Sequence, residues 1–145
     1  MYKRQILDVI GPDGTLFVPT YTYTFGKSSA LSLATYNPLS TPAEIGSFPN
    51  HIISSKLGYR SLDPMMSIYS IGPLSSISHN LSPSSYGNDC LFSRFLGQNI
   101  KCVSLGLGVN WTPFIHYLDF LTQVDYRYEK MFWGCLLYTS PSPRD

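Results

Sequence analysis

Short apolar runs bounded by glycine or proline recur along the chain and predict buried β-strands. Leu16–Val18 is the first of them, and the strand-forming residues Tyr21–Phe25 are expected to continue it. Met66–Ile71 alternates apolar and polar side chains and predicts a second strand. Ile100–Leu105 predicts a further strand, which would end at a pair of glycines.

A threonine–proline pair predicts a helix after the aperiodic segment Gly26–Ser40, which predicts a loop. Thr41–Glu44 offers a threonine N-cap, a proline at the first helical position and a glutamate that completes a capping box. Pro49 lies inside this helix and predicts either a kink or a later start. The apolar residues that would form its buried stripe are Ile45, Phe48, Ile52 and Ile53.

Two more helices are predicted towards the end of the chain. Asn88 or Asp89 is expected to cap a short helix that runs through Phe95 and ends at Gly97. A second threonine–proline pair predicts a helix from residue 112 to about Thr122. Strands that alternate with helices indicate an α/β fold, with a mixed layered sheet and flanking helices.

The two ends of the sequence are related to each other at the nucleotide level. Back-translation of the tail that begins at Cys135, read as its reverse complement, encodes Met1–Gln5 with GTG as the start codon. Inverted copies of this kind match the adapter of transposase-based sequencing libraries. We therefore expect residues 1–5 and 135–145 to be sequencing-adapter artefact, and exclude them from fold reasoning. An ordinary tail containing serine and proline is the alternative.

Composition and charge exclude several classes of function. The net charge is +1, without a basic stripe or an acidic run, so nucleic acid is not an expected partner. We find neither a signal-peptide pattern nor an apolar run of membrane-spanning length, so a cytoplasmic protein without a membrane partner is expected. Cys90 and Cys102 lack ligand-like spacing with each other or with histidine, which predicts buried free thiols and no metal site.

His116 and Asp119 in the last predicted helix are candidates for catalysis. Residues three apart share a helix face, so the imidazole and the carboxylate are expected to lie one turn apart. Neutral imidazole can accept a proton, and a carboxylate can fix its tautomer by binding one ring nitrogen. The pair therefore suits a general base and its orienting acid. A purely structural pair between the two side chains explains the same spacing.

Four other positions are candidates for binding. Asp63 precedes Pro64, which keeps it out of the helical region, and its carboxylate could bind a cationic amine or simply close an Asx-turn. Tyr86 and Asn88 belong to a glycine-containing turn that could line a sugar pocket or only cap a helix. Gly106 lies between a strand and a helix, where backbone amides can bind an anion, although a turn glycine is the simpler explanation.

Several segments occur in an order that is more specific than any one of them alone. They are Gly14-Thr15-Leu16 with Pro19-Thr20, Thr41-Pro42 with Ile45-Gly46 and Phe48, Arg60-Ser61-Leu62-Asp63-Pro64 with Ser67, Ser85-Tyr86-Gly87 with Leu91-Phe92, Leu105-Gly106, and His116-Tyr117 with Tyr126-Arg127. This ordered set resembles the aminoglycoside 3-N-acetyltransferase family. The resemblance covers nearly all of residues 6–134, which we expect to be the interior of one acetyltransferase domain.

The resemblance implies an α/β enzyme that moves an acetyl group from its co-substrate acetyl-CoA to an amino group of an aminoglycoside or related amino sugar. His116 would be the general base and Asp119 its partner, while Ser67 is a candidate donor to the oxyanion. The implied binding residues are Asp63, Tyr86 and Asn88 for the substrate, and Ser67 and Gly106 for the coenzyme. The expected partner is a small-molecule amino sugar, and a homodimer is left open.

Three departures from the family pattern leave other functions open. Asp63 and Met66 stand where many relatives carry histidine, and Asp119 stands where glutamate is usual. The alternatives are an amino-sugar acetyltransferase of surface polysaccharide synthesis, a non-catalytic homologue that binds amino sugars, and a structural domain whose polar clusters are only caps and turns. The family's glycine-rich N-terminal segment and a C-terminal portion would lie outside residues 6–134.

Overall fold

A computed structural model describes residues 2–27, 34–108 and 112–137 of the 145-residue chain. Helices and strands are mixed along the chain and the strands form open sheets, so the predicted α/β class is confirmed. The chain divides into two compact units, Met1–His79 with Met131–Asp145 and Asn80–Lys130. The candidate catalytic pair belongs to the second unit.

The first unit is built on a short antiparallel sheet. Its elements are α1 (Tyr2–Ile10), β1 (Leu16–Pro19), a 3-10 helix (Tyr23–Lys27), β2 (Ala34–Tyr36), α2 (Ser47–Ser54), β3 (Tyr59–Arg60), β4 (Ile68–Ile71), a second 3-10 helix (Pro73–Ser78) and β5 (Gly134–Leu136). Strands β1, β4 and β3 form the sheet in that order, with Leu16 opposite Ile71. Strand β2 pairs in parallel with β5.

The ends that we expect to be adapter-derived fall partly inside these elements. Residues 2–5 belong to α1, and residues 135 and 136 belong to β5. Residues 1 and 138–145 lie outside the described residues. The origin of the two ends stays a prediction.

Helix α2 packs on the antiparallel sheet and closes the core of the first unit. The buried members of this cluster are Val18, Ala43, Ile52, Ile53 and Tyr69, and the partly buried ones are Leu16, Ile45, Phe48 and Ile71. The four apolar residues predicted to form the stripe of this helix all belong to the cluster. Phe48, Ile52 and Ile53 lie in α2 and confirm this part of the predicted stripe, whereas Ile45 packs on the same core from before the helix begins. The strands predicted at β1 and β4 are confirmed.

The start of α2 corrects the capping box predicted at Thr41 and Glu44. The N-cap position is held by Gly46, whose φ of 117° is a conformation that favours glycine. The carboxylate of Glu44 instead accepts a hydrogen bond from the backbone amide of Thr24 at 3.2 Å, in the first turn of the first 3-10 helix rather than at the start of α2. The later start that Pro49 allowed is what occurs, because proline in the first turn forfeits no helical hydrogen bond.

The strand expected at Tyr21–Phe25 and the loop expected at Gly26–Ser40 are both corrected by the structure. The chain turns into the 3-10 helix at residue 23, and Phe25 becomes buried with its ring centroid 6.0 Å from that of Tyr36. Strand β2 lies within the predicted loop, part of which (residues 28–33) is outside the described residues. Tertiary packing of two aromatic rings therefore overrides the local strand preference.

Arg60 belongs to strand β3 of the first unit and is buried, with 3% of its surface exposed. Its Nε donates to the hydroxyl of Thr20 at 3.0 Å, and Nη2 donates to the Thr20 carbonyl and to the hydroxyl of Thr22. Nη1 donates to the carbonyl of Thr41, and the guanidinium lies 5.0 Å from the ring centroid of Tyr36. Burial lowers the pKa of Arg60, and these neutral oxygens replace the water that its charge has lost.

Tyr36 gives the first unit a measurable response to alkaline pH. Its fully buried hydroxyl donates to the carbonyl of Ser61 at 2.9 Å, and burial raises the pKa of Tyr36 from its ordinary value of 10.0 to about 12, with Arg60 opposing the shift. Because the folded-state pKa is the higher one, protonated Tyr36 stabilises the fold fully below pH 10 and loses this contribution as the pH rises through about 12.

We therefore expect the free energy of unfolding in urea to fall by about 3 kcal/mol over this alkaline window. The fall should be reduced in Tyr36→Phe, which has no phenol to ionise. Tyr128→Phe is the matched control, because it removes a hydroxyl from a tyrosine that is 80% exposed. Equal alkaline slopes in the wild type and Tyr36→Phe would contradict the prediction.

The second unit contains α3 (Leu91–Gly97) and α4 (Phe114–Leu121), which pack through aromatic side chains. The cluster consists of buried Cys90, Phe92 and Tyr117 with partly buried Tyr86, Phe114 and Phe120. The rings of Phe92 and Phe114 meet edge to face, with their centroids 5.9 Å apart. This contact joins the two helices and supports the surface that carries the candidate catalytic pair.

The ends of α3 differ from the prediction, although the helix itself is confirmed. Its N-cap is Cys90 rather than Asn88 or Asp89. Asp89 instead accepts hydrogen bonds from Arg94 at 2.8 and 3.0 Å, which lower the pKa of the Asp89 carboxyl. The left-handed residue that follows the helix is Asn99 with a φ of 51°, two positions beyond the glycine that was expected to end it.

The strand predicted at Ile100–Leu105 is wrong. Residues 100–108 form coil and bends, and the side chains of Val103 and Leu105 are 75% and 70% exposed. Apolar alternation is not enough to make a strand, since the backbone must also find a neighbouring strand as its hydrogen-bonding partner. Cys102 in this segment is therefore exposed, whereas Cys90 is buried as predicted, and both are free thiols.

Candidate active site

Helix α4 places His116 and Asp119 on one face, as their spacing predicts. Nδ1 of the imidazole lies 3.6 Å from Oδ2 of the carboxylate. This separation exceeds an N–H···O hydrogen bond of about 2.7–3.2 Å, so the two groups are adjacent without being hydrogen-bonded. The side chain of His116 is 58% exposed and that of Asp119 only 18%. The imidazole can therefore meet a dissolved substrate while the carboxylate is partly shielded from water.

The N-terminal end of α4 lies next to the predicted threonine–proline pair. Pro113 takes the N-cap position, and the backbone amide of His116 donates to its carbonyl at 3.1 Å. The amide of Ile115 donates to the carbonyl of Thr112 at 3.4 Å. These bonds place His116 in the first turn of the helix, so its position is fixed by the way the helix begins.

The chain reverses immediately after α4. Gln123 has a left-handed φ of 50°, and the amide of Val124 donates to the carbonyl of Asp119 at 3.3 Å. This is the bond pattern of a Schellman motif, in which a left-handed residue closes the last turn of a helix. The reversal returns Tyr126 and Arg127 to the face that carries the candidate pair.

Tyr126 and Arg127 both contact the candidate pair. The hydroxyl of Tyr126 donates to Oδ1 of Asp119 at 2.9 Å, and this hydrogen bond raises the pKa of Tyr126. Nη1 of Arg127 donates to the backbone carbonyl of His116 at 2.6 Å. Sequence reasoning did not select either residue for the site, because no helical period links residues beyond the end of α4 to residues within it. Their place among the segments of family resemblance was the only signal.

Tyr86 is the predicted substrate-binding residue that the structure brings to His116. The two ring centroids are 5.4 Å apart, with an interplanar angle of 66°. Tyr86 has two further contacts. Its ring stacks with that of Phe92, with the centroids 5.4 Å apart, and the guanidinium carbon of Arg127 lies 5.7 Å from the Tyr86 ring centroid. Asn88 is an exposed turn residue two positions further along. The surface next to the imidazole is therefore built from Tyr86 of a loop, Phe92 of α3 and Arg127 of the segment after α4.

Gly106 lies on the exposed coil of the second unit, with a left-handed φ of 74°. This conformation favours glycine and agrees with a turn. Its predicted contact with a coenzyme phosphate stays a prediction.

Asp63 and Ser67 belong to the first unit, where both have structural partners. Oδ1 of Asp63 accepts the backbone amides of Met65 at 3.0 Å and Met66 at 3.2 Å, which is the Asx-turn weighed as an alternative role. Ser67 is fully buried, and its hydroxyl donates to the carbonyl of Thr20 at 2.8 Å. Their contacts with substrate and coenzyme stay predictions.

In residues 2–27, 34–108 and 112–137, no three His, Cys, Asp or Glu side chains converge as a ligand set for a metal ion. Over that same part of the chain, no helix combines the length and the apolar character required to cross a bilayer.

The comparison with known families agrees with the resemblance. A family model described as aminoglycoside 3-N-acetyltransferase matches residues 3–140, a range that covers most of the first unit, all of the second and every candidate site residue. Among curated proteins, none matches the chain.

Proposed function

Because the chain belongs to the aminoglycoside 3-N-acetyltransferase family, we propose that it transfers an acetyl group from acetyl-CoA to an amino group of an aminoglycoside or related amino sugar. The observation that carries this proposal is the pairing of an exposed imidazole, His116, with a shielded carboxylate, Asp119. The protein would act in the cytoplasm on a small-molecule acceptor, since the proposed reaction consumes acetyl-CoA.

His116 acts as the general base in this reaction. Its Nδ1 faces Asp119, so a proton on Nδ1 would be held by the carboxylate and Nε2 would be left free to accept a proton. The 3.6 Å separation is compatible with this role, because catalytic hydrogen bonds are often long before substrate binds and shorten in the reactive complex. Nε2 then removes a proton from the ammonium group of the acceptor.

Bound acetyl-CoA supplies the acetyl group as a thioester, whose carbon–sulfur bond is replaced by a bond to the acceptor nitrogen. The acceptor ammonium loses two protons in becoming an amide. His116 receives one and passes it to water, and the other leaves with the sulfur as a thiol, so atoms and charge balance. Asp119 stabilises the imidazolium while it carries the proton.

The residues assigned to the coenzyme do not fit it equally. Gly106 is exposed on a left-handed bend, where backbone amides can approach a phosphate, and this supports its assignment. Ser67 is fully buried and its hydroxyl is already bonded to Thr20, so a direct coenzyme contact would require the network around Arg60 to open. For the acceptor, Tyr86 places an aromatic ring beside His116, which supports its assignment to the sugar.

The test is an assay of thiol release by the purified full-length protein. The protein is incubated with acetyl-CoA and a panel of aminoglycosides and simpler amino sugars. We expect release that depends on an amine, and the panel separates an antibiotic acceptor from a biosynthetic one. Folded protein that binds an amine and acetyl-CoA without release would instead be a non-catalytic homologue. A folded protein that binds no acetyl-CoA would overturn the proposal.

A further inference from the structure

We propose that Tyr126 is a positioning residue of the acetyl-transfer site, whose hydroxyl holds Oδ1 of Asp119 and so keeps Oδ2 directed at Nδ1 of His116. The two contacts are 2.9 Å for the hydrogen bond and 3.6 Å between the carboxylate and the imidazole. This inference rests on the proposed function, in which His116 is the base. It adds a residue that neither touches the reacting atoms nor belongs to α4.

The need for such a residue follows from the freedom of an aspartate side chain. The terminal torsion of aspartate is broad, so a carboxylate without a fixed partner samples many orientations. A hydroxyl that donates to one carboxylate oxygen removes this freedom, and hydrogen bonds to an ionised acceptor are stronger than neutral ones. Because Oδ1 of Asp119 is bound by Tyr126, Oδ2 is the oxygen left for His116.

The hydroxyl of Tyr126 remains a donor at the pH values at which an acetyl-transfer assay is run. Its hydrogen bond to Asp119 raises the pKa of Tyr126 above its ordinary value of 10.0, and the negative carboxylate acts in the same direction. Ionised Tyr126 would repel the carboxylate it now holds. The contact is therefore expected to persist through neutral and moderately alkaline pH.

The backbone beside Tyr126 is held against α4 by its neighbour. Arg127 donates to the carbonyl of His116 at 2.6 Å, and its guanidinium lies 5.3 Å from the ring centroid of Phe120. The left-handed turn at Gln123 brings both residues back to the helix. The location of Tyr126 thus depends on a turn and on a neighbouring cation, while its own ring is mostly exposed.

Tyr126→Phe removes the hydroxyl and should leave the fold intact, because Tyr126 is 73% exposed. In the complete protein, we expect kcat to fall about tenfold, which corresponds to the loss of a hydrogen bond to a charged group. KM for the amine should change by less than about twofold, since the hydroxyl is not assigned to substrate binding. Tyr128→Phe, two residues away and 80% exposed, is the control and should retain wild-type kcat.

A double-mutant cycle distinguishes positioning from a general structural effect. If Tyr126 acts through Asp119, Tyr126→Phe should have no further effect on kcat in an Asp119→Asn background. An undiminished tenfold loss in that background would overturn the proposal, as would wild-type kcat in the single Tyr126→Phe variant. The same assay tests the proposed function itself. That function holds if the wild type turns over and His116→Ala does not.

A measurement that does not depend on turnover tests the positioning role of Tyr126 separately from the proposed acetyl transfer. The proton distribution between Nδ1 and Nε2 of His116 can be read from side-chain nitrogen NMR of histidine-labelled protein, with the resonance assigned by His116→Ala. We expect Tyr126→Phe to lower the share of the tautomer protonated at Nδ1, and Tyr128→Phe to leave it unchanged. An unchanged tautomer share in Tyr126→Phe would overturn positioning whether or not the protein transfers acetyl groups.

Discussion

Replacing His116 with alanine is expected to lower kcat for acetyl transfer by about a hundred- to ten-thousandfold, the usual contribution of a positioned general base. The reason is that the acceptor amine is protonated near neutral pH and cannot attack until a base removes its proton. The variant should keep its fold, because the His116 side chain is 58% exposed. The measurement is steady-state thiol release from acetyl-CoA at a saturating amine concentration.

The matched control is His51→Ala, which removes an exposed histidine from α2. It should retain wild-type kcat, and both variants should bind acetyl-CoA as the wild type does. A kcat for His116→Ala within about threefold of the wild type would rule out His116 as the base, because loss of a general base costs far more than that.

Replacing Arg60 with methionine is expected to lower the free energy of unfolding by about 3–5 kcal/mol. Methionine fills similar space but makes none of the hydrogen bonds that the guanidinium donates to Thr20, Thr22 and Thr41, and a hydrogen bond to a charged group contributes about 1.5–3 kcal/mol. The Thr20 carbonyl keeps the hydroxyl of Ser67 as a donor, so the loss stays below the sum of these bonds. The free energy of unfolding of Arg60→Lys should fall between those of the wild type and Arg60→Met, since an ammonium cannot reach as many acceptors as a planar guanidinium. Urea denaturation followed by circular dichroism measures the difference.

Arg94→Met is the control variant against which the stability loss of Arg60→Met is compared. Arg94 is paired with Asp89, whose side chain is 65% exposed, and surface ion pairs contribute about 1 kcal/mol or less. The two arginines should therefore differ by several-fold in their effect on stability. Equal losses for Arg60→Met and Arg94→Met would show that the buried network contributes no more than a surface pair.

The parts of the fold that sequence predicted correctly depend on local periodicity. Strands β1 and β4 come from apolar runs closed by proline or glycine, and both pair in the sheet. The proximity of His116 and Asp119 follows from helical spacing alone, because α4 fixes residues three apart on one face. Each of these features is determined within fewer than about ten residues of chain.

The parts that sequence did not predict depend on contacts made across the chain. Glu44 has the spacing of a capping-box residue, yet it binds the amide of Thr24. Tyr126 reaches Asp119 because Gln123 takes a left-handed backbone conformation. Glutamine rarely adopts this conformation, so the sequence does not predict the turn. Arg60 is recognised as the centre of a buried network only when the residues 40 positions away are in place.

The most direct test of acetyl transfer is to identify its product. The complete protein is incubated with acetyl-CoA that carries a carbon-13-labelled acetyl group, together with the amine that supports the fastest thiol release. The product is then examined by NMR and mass spectrometry. We predict a single labelled acetyl group in amide linkage to an amino group of the acceptor, and its loss in His116→Ala. Thiol release with the label recovered only as free acetate would show hydrolysis rather than transfer, and would contradict the proposed function.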